Sequence, residues 1–296
     1  MSKLVSGVYA ALSTPRQNDG SLDETSLRKL IDFLLERGIR GFAINGATGE
    51  YCLTTSEELK RIVQVASDAL PSSAQYVVGI GSAGIQGCVN NGNVAIDHGA
   101  SGVLLPMPHF FSYTQDDLYA FSENVARRLP IPILLYNLPQ FTNGLDSATV
   151  HNLLVNCPNI IGIKDSSGSL ETLRDLTNNN PQSCRIVGND SAFADSLRQN
   201  ISDGVISGVA GVLPELILSI YAHKDESNSA QFKEAVNKLD EFIGQINAFP
   251  TPWGLKIIAE CRGITSASFS QPLSSQRHAQ RQSLERWFKE WQSPIS

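Results

Sequence analysis

A regular alternation of short apolar runs with longer amphipathic stretches is the strongest constraint on the fold of this 296-residue chain. Short runs rich in Val, Ile and Leu are typical of buried parallel strands, and amphipathic stretches of helices that cover them. We predict strands at 8–13, 41–45, 76–79, 102–105, 133–136, 160–164, 185–188 and 205–207. The clearest intervening helices are predicted at 23–37, 56–69, 114–128, 146–156 and 169–178.

The connections between these elements are short, which favours a closed sheet. Eight strand–helix units in series predict an α/β fold of the (β/α)8 TIM-barrel type; an open, doubly wound parallel sheet is the alternative. Four more helices follow, at 213–221, 229–246, 253–261 and 275–291. No linker separates them, so we predict a barrel over 1–222 and a C-terminal helical extension, 223–296, packed on it. Asp23 and Ser56 are predicted helix N-caps.

The composition of the chain argues against several classes of function. A net charge of -6 argues against nucleic acid as a partner, and no uninterrupted apolar span is long enough to cross a membrane. The amino-terminal segment lacks the apolar core of a secretory signal. The five cysteines form no Cys-x-x-Cys pair, and the five histidines lack metal-ligand spacing. We therefore expect a cytoplasmic enzyme with free thiols, a small-molecule substrate and no metal.

Lys164 is the first candidate for chemistry. It ends the apolar run 159–164 and precedes the small-residue segment 165–168. Catalytic groups of α/β barrels lie at the carboxyl ends of strands. Apolar walls disfavour the ammonium form, so a lysine held there can attack a carbonyl carbon as the neutral amine. The alternative is a strand-end lysine that simply reaches water.

The ends of four further strands would meet Lys164 at the same mouth. The segment 46–50, Gly-Ala-Thr-Gly-Glu, could hold a carboxylate with its amides and the Thr48 hydroxyl, or could be an ordinary turn. Tyr136 could carry protons, or could close the barrel rim. Asn189, Asp190 and Ser207 could bind hydroxyl groups, although Asp190 also suits a helix N-cap.

Together these segments resemble a known family. The motifs at 46–50, at 136–139 (Tyr-Asn-Leu-Pro) and at 162–165 (Gly-Ile-Lys-Asp) resemble, in order and spacing, those of the pyruvate-dependent class I aldolases, which include dihydrodipicolinate synthase and N-acetylneuraminate lyase. The resemblance runs from residue 7 to about residue 256. It implies that Lys164 forms a Schiff base (an imine) with a 2-keto acid, that Thr48 binds the carboxylate and that Tyr136 moves protons.

The resemblance also implies a homotetramer built as a dimer of dimers, and a reaction without metal or organic cofactor. Lys164 and Tyr136 are the predicted catalytic residues. The predicted substrate-binding residues are Gly46, Ala47, Thr48, Gln140, Gly188, Asn189, Asp190, Ile206 and Ser207.

Several positions depart from the family pattern. Ala47 stands where many members have a hydroxyl residue, and Phe110 where many have a tyrosine that reaches across a subunit interface, so the usual proton relay is missing. His109 could replace it, or could be a rim histidine. Phe141 stands where the synthases carry an arginine for the second substrate's carboxylate. Ser191 stands where sialate lyases have an acid.

These departures favour retro-aldol cleavage of a 2-keto-3-deoxy sugar acid to pyruvate and an aldehyde. The alternatives are dihydrodipicolinate synthase activity, N-acetylneuraminate lyase activity, dehydration of a sugar acid through the same imine, and a non-catalytic protein that binds pyruvate.

One motif could indicate a different function. Residues 79–84 match Gly-x-Gly-x-x-Gly, a pattern found in dinucleotide-binding sites. No acid for a ribose ends the next strand, so a glycine-rich barrel turn is the preferred interpretation.

Overall fold

A computed structural model describes residues 3–292 of the chain. Eight parallel strands close into a barrel in the order β1 to β8, each bonded to its neighbours in sequence and β8 to β1. The strands are β1 Gly7–Ala11, β2 Gly41–Ile44, β3 Gln75–Gly79, β4 Gly102–Pro106, β5 Ile133–Asn137, β6 Ile160–Asp165, β7 Cys184–Val187 and β8 Gly204–Ser207.

Helices alternate with the strands and then continue beyond the barrel. The eight helices of the barrel are α1 Glu24–Glu36, α2 Ser56–Ala69, α3 Ile85–Asp97, α4 Gln115–Arg128, α5 Ser147–Asn156, α6 Glu171–Asn179, α7 Phe193–Arg198 and α8 Pro214–Ala222. The later helices are α9 Ala230–Ile246, α10 Trp253–Cys261 and α11 Ser275–Trp291. No helix within 3–292 is long and apolar enough to span a membrane.

Both faces of the strands are buried, which explains why their sequences read as continuous apolar runs. Alternate residues point inward and form a small cluster inside the barrel that contains Tyr9, Val77, Leu134 and Tyr136. The other residues point outward into a much larger cluster shared with the helices. An inward-pointing polar residue near the carboxyl end of a strand therefore faces the mouth of the barrel.

The predicted fold class is confirmed, and every predicted strand lies within two residues of an observed one. Two local predictions were wrong. The sixth strand includes Asp165, so Lys164 is its penultimate residue. Thr55, not Ser56, caps α2, because the Thr55 side chain accepts a hydrogen bond from the backbone N–H of Glu58. The Asp23 cap is confirmed by its bond from the Ser26 N–H.

The C-terminal helices pack against one another, and their apolar side chains belong to the same large cluster as those of the barrel helices. On α9, Phe242 contacts Phe288 and Trp291 of α11, with ring centres 6.5 and 5.8 Å apart. Helix α10 is almost wholly buried. The predicted boundary at 222/223 falls just after α8, and it stays a prediction; residues 1–2 and 293–296 of the two predicted units lie outside the described part.

Candidate active site

Lys164 lies in the barrel beside Tyr136. The two residues are register partners on β6 and β5, so their side chains share the inner face of the sheet. Each is only 3% exposed, and the Lys164 Nζ lies 3.9 Å from the centre of the Tyr136 ring. The structure thus places an amine and a phenol side by side at the carboxyl ends of two neighbouring strands, which is the arrangement required for nucleophilic attack and proton transfer.

Hydrogen bonds between the strand ends hold these two side chains in place. The Ser166 N–H donates to the Asn137 carbonyl at 2.7 Å, and the Gly188 N–H donates to the Asp165 carbonyl at 2.7 Å. The Asn137 amide also lies 3.5 Å from the Asp165 carboxylate. Burial raises the pKa of Asp165, and hydrogen bonds from Ser167 partly oppose the rise. These contacts join the ends of β5, β6 and β7 around Lys164.

Gly188 provides the space that the Lys164 side chain occupies. A β-carbon at position 188 would lie 2.8 Å from the Lys164 Cε and 2.1 Å from the Ser166 Oγ. Both distances are shorter than real contacts, so any larger residue would displace one of these groups. The Ser166 Oγ is buried and has no hydrogen-bond partner among residues 3–292. It is therefore a polar group that a substrate could satisfy.

The predicted carboxylate-binding loop lies across the mouth from Lys164. The Thr14 hydroxyl donates to the Gly49 carbonyl at 2.9 Å, which attaches the loop to the segment after β1. A β-carbon at position 208 would lie 3.3 Å from the Thr48 Oγ1, so the Thr48 hydroxyl faces the loop after β8. Ala47 and Thr48 are partly exposed and both line the mouth.

Asp190 contributes a carboxylate to the same mouth. Its Oδ2 accepts a hydrogen bond from the Val209 N–H at 3.3 Å, whereas its buried Oδ1 has no partner within 3–292. Burial raises the pKa of Asp190. Hydrogen bonds from Ser207 and Val209 and the charge of Lys164 lower this pKa, but the effect of burial is larger. Ser207 is completely buried and also accepts a bond from the Ala210 N–H at 2.8 Å.

These groups surround a cavity of about 350 Å³. Nine of the eleven predicted site residues line it: Ala47, Thr48, Tyr136, Gln140, Lys164, Gly188, Asn189, Asp190 and Ile206. Gly46 and Ser207 are not among the lining residues. Ser207 lies close enough to Asp190 to lower the pKa of that carboxyl group. The binding roles of all eleven stay predictions.

The sequence analysis missed part of the cavity wall. Ser166 lines it, and so do residues from α9, α10 and the segment between them: Ile243, Ile246, Asn247, Thr251 and Leu255. Ser166 could have been found from its position two residues after Lys164. The helical residues gave no signal, because an apolar helix face that lines a cavity has the same pattern as one that packs in a core.

The positions that depart from the family pattern lie at the rim. Phe141 lines the cavity and is 60% exposed. Phe110 is 90% exposed in the single chain and has a φ of +78°. His109 is exposed as well. None of the three carries a polar group into the buried part of the site.

Comparison with known proteins agrees with this geometry. The family model of the dihydrodipicolinate synthetase family matches residues 4–291. The 4-hydroxy-tetrahydrodipicolinate synthase of Campylobacter lari is 31% identical over 266 residues, 89% of each chain. The prophage protein YagE of E. coli K12, from the dihydrodipicolinic acid synthase family and solved in complex with pyruvate, is 25% identical with a TM-score of 0.89 over 98% of this chain and 99% of that one.

A more distant structure shares the fold. The N-acetylneuraminate lyase of Mycoplasma synoviae is 19% identical and superimposes with a TM-score of 0.85 over 97% of this chain and 98% of that one. The resemblance inferred from the three motifs is confirmed by the match over nearly the whole chain. This chain belongs to the dihydrodipicolinate synthetase family and is a pyruvate-dependent carbon–carbon lyase of that family.

Proposed function

We propose that this enzyme cleaves a 2-keto-3-deoxy sugar acid to pyruvate and an aldehyde through an imine on Lys164. The observation that carries the proposal is the charge of the cavity wall. Among the described lining residues, Lys164 is the only one with a cationic side chain. A substrate that has one carboxylate and several hydroxyl groups fits such a wall, because the carboxylate needs only the loop at Ala47 and Thr48.

The imine would form between the Lys164 nitrogen and the keto carbon of the substrate. The carbonyl oxygen leaves as water, and Tyr136 donates a proton to it. The resulting iminium cation withdraws electrons from the adjacent bond. Tyr136 then accepts the proton of the substrate hydroxyl as the carbon–carbon bond breaks and the aldehyde leaves. The electron pair of the broken bond leaves the fragment on Lys164 as an enamine, whose carbon takes the proton back from Tyr136. Hydrolysis of the resulting iminium by water then releases pyruvate and a proton and restores the neutral amine. No metal or organic cofactor takes part in this scheme.

Neutral side chains and one carboxylate would bind the hydroxylated end of the substrate. Gln140 and Ser191 lie at the outer wall, and the buried oxygens of Ser166 and Asp190 lack protein partners within 3–292. Hydroxyl groups of a substrate can both donate and accept hydrogen bonds, so they can pair with both the donors and the acceptors of this wall. A second anionic substrate would lack a counter-charge there, which argues against condensation with a carboxylated aldehyde.

Dihydrodipicolinate synthase activity is the second candidate, because curated relatives about 31% identical over most of the chain carry that name.

The experiment that separates the candidates supplies the enzyme with pyruvate alone, with pyruvate and aspartate semialdehyde, and with a panel of 2-keto-3-deoxy sugar acids. Borohydride reduction should trap a pyruvate adduct on Lys164. Pyruvate release from a sugar acid supports the proposal. Condensation faster than every cleavage supports the synthase, and dehydration without pyruvate release supports a dehydratase. An adduct with no turnover of any substrate supports a binding protein.

A further inference from the structure

Tyr51 follows the carboxylate-binding loop and has no part in the chemistry described above. It begins a short 3-10 helix, Tyr51–Leu53, and its N–H donates to the Gly46 carbonyl at 3.2 Å. The preceding residue, Glu50, has a φ of +58°, so the chain turns sharply just before Tyr51. The side chain is only 9% exposed. A phenol is therefore held rigidly beside the loop that contains Thr48.

The ring of Tyr51 lies over Gly81 and beside Pro106. A β-carbon at position 81 would lie 2.4 Å from the Tyr51 Cε2 and 2.6 Å from the Pro106 Cγ. Only glycine leaves enough room for the ring at this point. The glycine-rich segment 79–84 thus has a role unrelated to dinucleotides, because Gly81 accommodates Tyr51, and Gly79 accommodates the Asn45 carbonyl, which a β-carbon would approach to 2.0 Å.

This position brings Tyr51 to the neighbourhood of Tyr136. Pro106 is the register partner of Tyr136 on the adjacent strand, and paired residues of neighbouring strands are about 5 Å apart. Burial raises the pKa of Tyr51, and Cys52 and Tyr136 raise it further, which reflects the proximity of the two phenols. The Tyr51 hydroxyl forms no hydrogen bond with any group in the described part of the chain.

The site also needs a group that exchanges protons with Tyr136. Ala47 has no hydroxyl, and Phe110 has none and is almost fully exposed. Tyr136 is only 3% exposed, so few water molecules can reach its hydroxyl directly, and a neighbouring group that exchanges protons with it would speed its reprotonation. A neutral phenol can accept one proton while it donates another, so it does not need to ionise to act as a relay.

We propose that Tyr51 is a positioning residue that relays protons between Tyr136 and solvent, directly or through one water molecule. This inference rests on the proposed function. During imine formation the Tyr136 O–H bond breaks as its proton joins the departing oxygen, which leaves as water. The Tyr51 O–H bond breaks as the Tyr136 O–H bond is restored, and a solvent proton restores Tyr51. The net change is one proton taken from solvent for each iminium cation formed. During cleavage the relay runs in reverse: as Tyr136 accepts the substrate hydroxyl proton it passes its own proton to Tyr51, which passes one to solvent.

The test compares Tyr51→Phe with Tyr9→Phe. Both remove the hydroxyl of a buried tyrosine, but Tyr9 lies in the strand β1 and bonds to Gln75, which pairs with Gly41 at the start of β2. Phe preserves the ring over Gly81, and the lost hydroxyl has no protein partner, so Tyr51→Phe should fold. Rapid mixing with pyruvate, followed by borohydride quenching, gives the rate and the final yield of the adduct.

Tyr51→Phe should form the adduct on the order of 10²-fold more slowly, with an unchanged final yield. Imidazole buffer at fixed pH and ionic strength should restore part of the rate, since it can supply the missing proton. Tyr9→Phe should form the adduct at the native rate, and imidazole should not change that rate. In the native enzyme, the rate should depend non-linearly on the deuterium fraction of the solvent, because two protons move together.

A Tyr51→Phe rate within about twofold of the native rate would overturn the relay. A slower rate that imidazole does not change, or a linear dependence on deuterium in the native enzyme, would overturn it as well. In each of these cases the adduct still forms, so the proposed function would stand. No adduct in the native enzyme with any 2-keto acid would overturn both the proposed function and the relay.

Discussion

The carboxylate of Glu50 and the ammonium group of Lys256 form a buried ion pair between the β2–α2 loop and helix α10. The residues are 6% and 3% exposed and are separated by 206 positions in the chain. The pair joins the C-terminal helices to the loop that carries Thr48. Because Leu255 beside it lines the cavity, the same contact also positions the outer wall of the active site.

Lys256→Met should destabilise the protein by about 3–5 kcal/mol, since it leaves the Glu50 charge buried without a partner. Urea denaturation at neutral pH measures this free energy, and the Michaelis constant for the 2-keto acid substrate should also rise as the loop moves. Lys238→Met is the control: it breaks a pair with Glu234, whose side chain is 70% exposed, and should cost less than about 1 kcal/mol. Equal effects of the two changes would contradict the prediction.

Lys164→Ala should abolish turnover, by more than about 10³-fold, and prevent borohydride trapping of pyruvate, since no other cationic side chain among the described residues lines the cavity. The far-ultraviolet circular dichroism should be unchanged. Lys60→Ala, on the exposed face of α2, controls for the loss of a lysine. Appreciable residual activity in Lys164→Ala would mean that another group performs the attack.

Tyr136→Phe should lower the rate by about 10²–10⁴-fold and slow imine formation, while the binding of pyruvate changes little. The ring that lies 3.9 Å from the Lys164 Nζ remains, so only proton transfer is removed. Stopped-flow trapping separates imine formation from the later steps. Unchanged kinetics would assign the proton transfer to a different group.

Phe141→Arg should not by itself create synthase activity. The new guanidinium would extend from a position that is 60% exposed, and a carboxylated aldehyde needs more than one contact to be oriented. Condensation of pyruvate with aspartate semialdehyde is the measurement, and Phe111→Arg, outside the lining of the cavity, is the control. Rapid condensation by Phe141→Arg alone would show that one charge is sufficient.

Asp203→Asn should destabilise the protein at neutral pH but much less in acid. Burial alone would raise the pKa of Asp203, but hydrogen bonds from Arg185 and Lys3 outweigh it and hold the pKa below the ordinary value of an aspartate. A carboxylate whose pKa is lower in the folded than in the unfolded chain stabilises the fold above the unfolded value, and this contribution is lost as the pH falls through the folded value. The difference between variant and native unfolding free energies should therefore shrink below about pH 4. A constant difference from pH 7 to pH 3 would contradict this assignment.

The sequence by itself determined the elements and their order. Side-chain alternation in strands and the 3.6-residue period of helices are local properties, so the eight strands and most helices could be predicted within two residues. The placement of Lys164 and Tyr136 near strand ends followed from the same patterns. Their family assignment followed from three short motifs whose residues lie close together in the chain.

Only the tertiary structure decided which side chains meet. Tyr136 and Lys164 meet because of the register between β5 and β6, which no local pattern specifies. The same holds for the pairing of Glu50 with Lys256, for the wall built from α9 and α10, and for Tyr51 over Gly81. Ser207 is a further example, because its position at a strand end predicted substrate contact, and only the structure shows that its side chain is completely buried and outside the lining of the cavity. Such contacts arise from packing between distant segments, and the sequence pattern around each residue does not contain them.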